Sequence, residues 1–236
     1  LDSAGNFLAA SATYGPFSAA SGPWTVDLTG PIVAPSGAMS LLWTSGTNAT
    51  GYAVSVWTFD SNLVRTDTGP AYGPFKDATG AWSPRQFIEA GNGSTRLLWL
   101  KQATGGYAGS LWTFSAKGVV TSQGPAYGPF SDSNGTWEPY EVLVAPDGSN
   151  RLMWVNPNSD QTASEVSFWT LTSAGVASNY GPTYGPYAGW NPVNFAINSS
   201  DSTLRLLWVN RSSTTVNGDA ISAWALTTTG SVTTKG

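Results

Sequence analysis

Short runs of alternating apolar and polar residues, separated by turns rich in Gly, Pro, Asn and Asp, recur along the whole chain. Between residues 140 and 178, four such runs cover residues 140–145, 151–155, 165–171 and 175–178. Alternation with a period of two, filled by Trp, Tyr, Phe, Val and Thr, predicts β-strands. No stretch repeats its apolar residues at the 3.6-residue spacing of an amphipathic helix. The pattern therefore predicts an all-β fold of short antiparallel strands.

The same arrangement of aromatic residues occurs four times. Each copy begins with Tyr-Gly-Pro and a further aromatic residue, and the tyrosines are 58, 55 and 57 residues apart. A repeat of this length is typical of solenoids and β-propellers. All 12 tryptophans fall into three columns, with one member in each copy: the first column is Trp24, Trp82, Trp137 and Trp190, the second is Trp43, Trp99, Trp154 and Trp208, and the third is Trp57, Trp112, Trp169 and Trp224.

Four units of four strands predict one β-propeller domain over residues 1–236, with about four blades. One unit cannot bury its apolar face alone, so the units must pack on one another. The predicted repeats are approximately residues 12–69, 70–124, 125–181 and 182–236.

Residues 1–11 are predicted to form an extra fourth-strand segment, because Leu1 to Gly5 align with Leu171 to Gly175. Either the chain belongs to a longer repeat array, or a spare terminal strand, in residues 1–11 or 230–236, pairs with another molecule by strand addition. A terminal strand that doubles an edge or frays is an equally good interpretation.

Charge excludes some partners. Charged residues make up 10% of the chain, the net charge is −4, and Lys and Arg are scattered singly. We therefore expect no nucleic-acid binding, which needs a basic surface, and no membrane insertion, because no apolar run approaches about 20 residues. A surface rich in Ser, Thr, Asn and Gly is typical of secreted or cell-surface β-proteins, and we predict that location.

The chain has neither His nor Cys, which removes the usual general base, thiol nucleophile and zinc ligands. Carboxylates remain, but they form no convincing catalytic pair in the sequence. Glu138 and Glu141 are three residues apart in a predicted strand and should point to opposite faces. The sequence therefore predicts a protein that is not an enzyme, without a cofactor or a metal.

Tryptophans of the second and third columns lie within apolar runs and are interpreted as core. Those of the first column follow polar, Gly-rich loops, so we expect them to be partly exposed. A Tyr and a Trp of one copy would then flank a cleft, where flat apolar rings and a few polar groups suit a sugar. The predicted cleft residues are Tyr14 and Trp24, Tyr72 and Trp82, Tyr127 and Trp137, and Tyr184 and Trp190.

Arginine begins the second strand in three copies, at Arg96, Arg151 and Arg205, whereas the first copy has Ser40. Its forked donors are candidates for binding ligand hydroxyls or carboxylates. A structural role, in which each Arg pairs with a turn and packs along its stem, fits the pattern slightly better.

The repeated motifs, such as Tyr184-Gly-Pro-Tyr187, Trp190-Asn-Pro192 and Arg205-Leu-Leu-Trp208, resemble tandem propeller repeats of bacterial secreted proteins. They also look loosely like the Trp-rich repeats of tectonin, tachylectin and fucose-binding lectin propellers. This resemblance implies a multivalent carbohydrate-binding module whose partners are glycans or polysaccharide. The alternative hypothesis is a structural or adhesive surface subunit that assembles through its spare terminal strand.

Overall fold

Each of the four repeats folds into an antiparallel sheet whose four strands follow the chain order. The computed structural model describes residues 12–19, 22–27, 30–91, 93–157, 163–210 and 219–236. Sheet 1 contains β2 (Gly22–Val26), β4 (Met39–Thr47), β5 (Gly51–Phe59) and β6 (Arg65–Thr68), and sheet 2 contains β8 (Gly80–Glu89), β9 (Thr95–Ala103), β10 (Gly106–Phe114) and β11 (Val120–Gln123). Sheet 3 contains β13 (Thr136–Val144), β14 (Asn150–Pro157), β15 (Ser164–Leu171) and β16 (Ala177–Tyr184), and sheet 4 contains β17 (Trp190–Ile197), β18 (Leu204–Asn210), β19 (Ala220–Leu226) and β20 (Val232–Lys235).

Four short strands complete the pairing: β1 (Phe17–Ala19), β3 (Ile32–Val33), β7 (Tyr72–Asp77) and β12 (Phe130–Ser131). Strand β7 pairs with β5 of sheet 1 and with β8 of sheet 2, so the Tyr-Gly-Pro segment carries the chain from one sheet to the next. The Gly-Pro bond is cis in all four copies. This crossing places the aromatic residue after the proline against the sheet that follows.

The core lies between successive sheets. Apolar residues of sheet 1 pack on those of sheet 2, and the same contact is repeated between sheets 2 and 3 and between sheets 3 and 4. Hydrogen bonds also join the first strands of successive sheets. The Gln86 Oε1 atom on β8 accepts a hydrogen bond of 2.7 Å from the Val142 amide on β13. The equivalent Glu141 accepts one from the Phe195 amide.

The turn between the third and fourth strands reaches the preceding sheet. Gly118, Gly175 and Gly230 take positive φ values of 71°, 80° and 85° there. A Cβ atom on Gly118 would lie 2.2 Å from the Val56 carbonyl oxygen of sheet 1, so glycine is required by space as well as by φ. The equivalent residue of sheet 1 is Leu63, which has a φ of 62°.

Within the part of the chain that the structure describes, no following sheet packs on sheet 4. Ile221 on its outer face is 71% exposed, whereas Val54 and Val166 at the equivalent position are 0% exposed. Within the described strands, no packing like that between successive sheets joins sheet 4 to sheet 1. A closed ring of four blades therefore stays a prediction.

The all-β prediction is confirmed, because every regular element of the described residues is a strand. Accordingly, those residues hold no helix that could cross a membrane. Of the two spare segments, residues 230–236 are not spare: β20 pairs with β19 as the fourth strand of sheet 4. The predicted extra segment at residues 1–11 lies outside the described residues.

Candidate functional site

An open cleft occurs at the same place in sheets 1, 2 and 3, with volumes of about 400, 360 and 240 Å³. In each cleft the walls come from one tryptophan of every column and from the aromatic residue after Gly-Pro. These residues are Phe17, Trp24, Trp43 and Trp57 in sheet 1, Phe75, Trp82, Trp99 and Trp112 in sheet 2, and Phe130, Trp137, Trp154 and Trp169 in sheet 3.

Three of the four rings in each cleft form a packed cluster. In sheet 2 the ring centroids of Trp99 and Trp112 are 5.4 Å apart, and Phe75 lies edge-on to them at 5.5 and 5.1 Å. Edge-to-face contacts at these distances stabilise aromatic groups beyond the area they bury. The cluster therefore forms a rigid apolar floor. Sheet 4 contains the same cluster in Tyr187, Trp208 and Trp224.

The three tryptophan columns differ in burial. Second-column tryptophans are the most buried members of the floor, with exposures of 8% for Trp43 and 1% for Trp99, Trp154 and Trp208. This burial confirms their predicted place in the core. First-column residues are half-buried in all four repeats, as predicted. A first-column indole thus keeps part of its face accessible at the cleft.

A serine hydroxyl on the third strand lines each cleft, at Ser55, Ser110 and Ser167. The Ser110 hydroxyl donates to the Gly124 carbonyl oxygen at 2.7 Å, and the other repeats contain the same bond. A hydroxyl that donates its one hydrogen still has lone pairs, so these serines can accept a hydrogen bond from a ligand.

The cleft of sheet 2 carries an ion pair at its mouth. The Lys101 ammonium donates to Asp77 Oδ2 at 2.7 Å and to the Thr79 hydroxyl at 2.8 Å, and it lies 4.9 Å from the Trp82 ring centroid. The hydrogen bond from Lys101, followed by those from Thr79, holds the pKa of Asp77 well below its usual range. Both charges are therefore fixed beside the first-column indole.

Sheet 3 has a carboxylate network at the same place. Asp132 accepts hydrogen bonds from the Trp137 indole at 2.8 Å and from the Asn156 amide at 2.9 Å, and Asn156 also donates to Glu165 at 2.9 Å. Burial, followed by the nearby charge of Asp132, raises the pKa of Glu165. Burial also opposes ionisation of Asp132, but its hydrogen bonds prevail and lower its pKa. The pKa values of these two neighbouring carboxyl groups are therefore shifted in opposite directions.

Sheets 1 and 4 carry a cation over their aromatic rings instead of an acid. The Arg65 guanidinium lies 4.8 Å from the Tyr14 ring centroid and 5.0 Å from that of Trp57. The Lys235 ammonium of sheet 4 lies 4.3 Å from the Trp224 centroid. Neither position stood out in the sequence, because the fourth strands vary most between repeats.

The predicted tyrosines do not line the clefts. The hydroxyls of Tyr72, Tyr127 and Tyr184 instead accept hydrogen bonds from the amides of Val120, Ala177 and Val232, at 3.0, 2.6 and 2.8 Å. Tyr14 packs edge-on against Trp57 and Phe59 of sheet 1. The cleft wall expected from tyrosine is supplied by the aromatic residue three positions later. That residue is aromatic in all four motifs, so the sequence contained the signal for it.

The predicted arginines also lie away from the clefts. Arg96 and Arg151 are 4% and 3% exposed, and each donates to a hydroxyl of its own turn, on Ser94 at 3.1 Å and on Ser149 at 2.5 Å. Arg205 makes the same contact with Thr203 at 3.0 Å but is exposed. Their geometry supports the structural interpretation. The described residues contain no group of three or more His, Cys, Asp or Glu that could hold a metal ion.

No family model matches the chain, and no curated protein matches it. Among solved structures, the GH93 alpha-L-arabinofuranosidase of Fusarium graminearum has a TM-score of 0.52 at 10% identity, and the match covers 87% of this chain and 64% of that one. The endo-arabinase from Bacteroides thetaiotaomicron VPI-5482 has a TM-score of 0.47 at 13% identity, covering 83% of this chain and 74% of that one. The GH93 enzyme, with a TM-score above 0.5, is a glycosidase β-propeller, and the predicted propeller class is confirmed.

One prediction from the sequence is corrected by these neighbours. The chain was expected not to be an enzyme, but solved structures that share its fold are named as enzymes. The lack of His and Cys was a poor guide, because glycosidases need only carboxyl groups. At about 10% identity the likeness shows the fold alone, and the chain spans 64% of the GH93 enzyme.

Proposed function

We propose that this protein binds carbohydrate through the aromatic clefts of sheets 1, 2 and 3. Each cleft combines a half-buried indole, an apolar floor and a serine acceptor, and these groups match the CH faces and the hydroxyls of a sugar ring. The GH93 alpha-L-arabinofuranosidase, whose structure in complex with arabinobiose shares this fold, supports a carbohydrate ligand.

The observation that carries this proposal is the recurrence of one cleft on three sheets. A cleft of 240 to 400 Å³ is small, so a single site should bind weakly. Several weak sites on one rigid body gain avidity when they engage one polymer or one surface. The proposed ligand is therefore a polysaccharide or a surface glycan, and a secreted or cell-surface location accords with it.

Binding is tested by measuring retardation of the full chain in gels that contain arabinan or other polysaccharides, followed by titration calorimetry. Trp82→Ala and Trp137→Ala should each weaken binding, and the double variant should lose most of the avidity. Tyr140→Ala is the matched control, because Tyr140 is a 38% exposed aromatic residue away from the clefts. Unchanged binding by the double variant would refute the proposal, and reducing-end release in the same samples would reveal hydrolysis.

Association between copies is a second candidate function, supported by the open face of sheet 4. Ile221 is 71% exposed there at a position that the next sheet buries elsewhere. Sheets 2, 3 and 4 each cover the preceding sheet with a turn whose glycine lies close to that sheet's backbone. Sheet 1 has Leu63 in place of this glycine, so sheet 1 of a second copy could not cover the outer face of sheet 4 in the same way. We therefore infer a two-fold dimer in which two sheet 4 faces meet, an arrangement common among homo-oligomers.

Sedimentation equilibrium of the full chain tests this second candidate. A dimer that Ile221→Asp converts to a monomer is expected, while Val176→Asp, at a 47% exposed residue of the turn between β15 and β16, should leave the mass unchanged. A wild-type monomer at all concentrations would remove this candidate.

A further inference from the structure

The clefts share their aromatic floor but differ in charge at the mouth. The position two residues after the aromatic residue of each Tyr-Gly-Pro motif is an aspartate in sheets 2 and 3, Asp77 and Asp132. In sheets 1 and 4 the same position holds Ala19 and Gly189. The cleft of sheet 2 has two cations beside this acid: Lys101 forms an ion pair with Asp77, and Lys76 donates a hydrogen bond of 2.6 Å to the Ala49 carbonyl oxygen. The cleft of sheet 3 is lined by Asp132 and by no basic residue.

The cations of the outer sheets are free to bind an anion. Arg65 lines the cleft of sheet 1, and Lys235 lies over the aromatic cluster of sheet 4. Within the described residues, neither the Arg65 guanidinium nor the Lys235 ammonium makes a hydrogen bond or an ion pair, and both lie over aromatic rings. Stacking on the rings fixes each cation in place but leaves its N–H donors unused.

We propose that the cleft of sheet 1 and the aromatic cluster of sheet 4 each bind an acidic sugar such as a uronic acid. The sugar ring would lie on the indole face of Trp24, while its carboxylate accepts hydrogen bonds from Arg65. A guanidinium presents a planar fork that matches a carboxylate, and charge-assisted hydrogen bonds of this kind are about twice as strong as neutral ones. The cleft of sheet 3, which is lined by Asp132 and by no basic residue, would then take neutral sugars.

This inference rests on the proposed carbohydrate binding, and a matched pair of probes separates the two. Tetragalacturonate and its fully methyl-esterified form have the same sugar rings and differ only in charge. The full chain should bind the acid about tenfold more tightly than the ester at 20 mM NaCl, which corresponds to one charge-assisted hydrogen bond of about 1.4 kcal/mol. The preference should fall at 300 mM NaCl, because salt screens exposed charges.

The variant that tests the residues is Arg65→Gln combined with Lys235→Gln. It should lose the preference for the acid and bind both probes equally. Trp24→Ala should weaken binding of the acid, since it removes the ring platform.

Equal binding of both probes by the wild-type chain, or a preference that survives in the double Gln variant, would overturn the acidic-sugar assignment and leave carbohydrate binding intact. Binding of neither probe, combined with no binding to any neutral polysaccharide in the gel assay, would overturn both proposals. Circular dichroism melting of the double Gln variant, with an unchanged midpoint, ensures that the comparison is made on folded protein.

Discussion

Val166 and Ile221 occupy equivalent positions on β15 and β19, three residues before the third-column tryptophan, yet they are 0% and 71% exposed. Val166 is covered by sheet 4, whereas Ile221 faces outward. An unpaired charge in the core is costly, so Val166→Asp should destabilise the protein by about 3 to 5 kcal/mol. Ile221→Asp should cost less than about 1 kcal/mol.

Urea unfolding of both variants at micromolar concentration, where association is weak, measures this difference. Similar losses of stability would mean that the outer face of sheet 4 is covered in solution.

The Tyr184 hydroxyl secures the outer hairpin of sheet 4. It accepts the Val232 amide at 2.8 Å and donates to the Gly230 carbonyl at 3.1 Å. Tyr184→Phe removes the hydroxyl and leaves the Val232 amide and the Gly230 carbonyl without this partner, so we expect a loss of about 1 to 3 kcal/mol in the free energy of unfolding. Tyr180→Phe is the control, because Tyr180 is 63% exposed. Thermal melting monitored by circular dichroism should show a lower midpoint for the first variant only.

The sequence was sufficient to predict the strands, because alternation and turn residues act locally. The third repeat illustrates this: the predicted strand at residues 165–171 is Ser164–Leu171 in the structure. The core role of the second-column tryptophans also followed from their place within apolar runs. Both inferences depend on neighbours along one strand.

Sequence reasoning failed where contacts join different sheets. Tyr127 looked like a ligand-stacking residue, but its hydroxyl accepts an amide 50 residues away, on Ala177. Arg96 was a candidate ligand donor, although a structural role fitted the pattern slightly better, and its burial, which lowers the pKa of its guanidinium, supports the structural role. The cation over the cleft, Arg65, was missed because the fourth strand shows no repeated pattern. Long-range packing decides these roles, and one chain's spacing does not reveal it.

The glycine in the turn between the third and fourth strands is predicted to be essential in each sheet that packs on a preceding sheet. Gly118→Ala should destabilise the protein by about 2 kcal/mol or more, because φ is 71° and the added Cβ would meet a carbonyl oxygen at 2.2 Å. Leu63→Gly at the equivalent turn should be neutral or stabilising, since it relieves a positive φ of 62°. The urea concentration at the unfolding midpoint should fall for Gly118→Ala and should stay the same or rise for Leu63→Gly. Equal destabilisation would contradict the role assigned to the preceding sheet.

The carboxylate pair of sheet 3, Asp132 and Glu165, should make the free energy of unfolding depend on pH. Substitution of either residue should remove its part of that dependence. Because the pKa of Glu165 is raised by burial and by Asp132, its contribution favours the folded state below the unfolded pKa of about 4.3 and is lost as the pH rises through the folded pKa. Glu165→Gln should therefore raise the melting temperature relative to wild type at pH 7.5, with a gain that shrinks towards pH 4. Asp132→Asn should show the opposite trend: because its pKa is lowered, Asp132 stabilises the protein above the unfolded value and this is lost in acid, so the variant should be less stable at pH 7.5. Melting curves of both variants at several pH values would contradict the assignment if the two shifts had the same sign at pH 7.5.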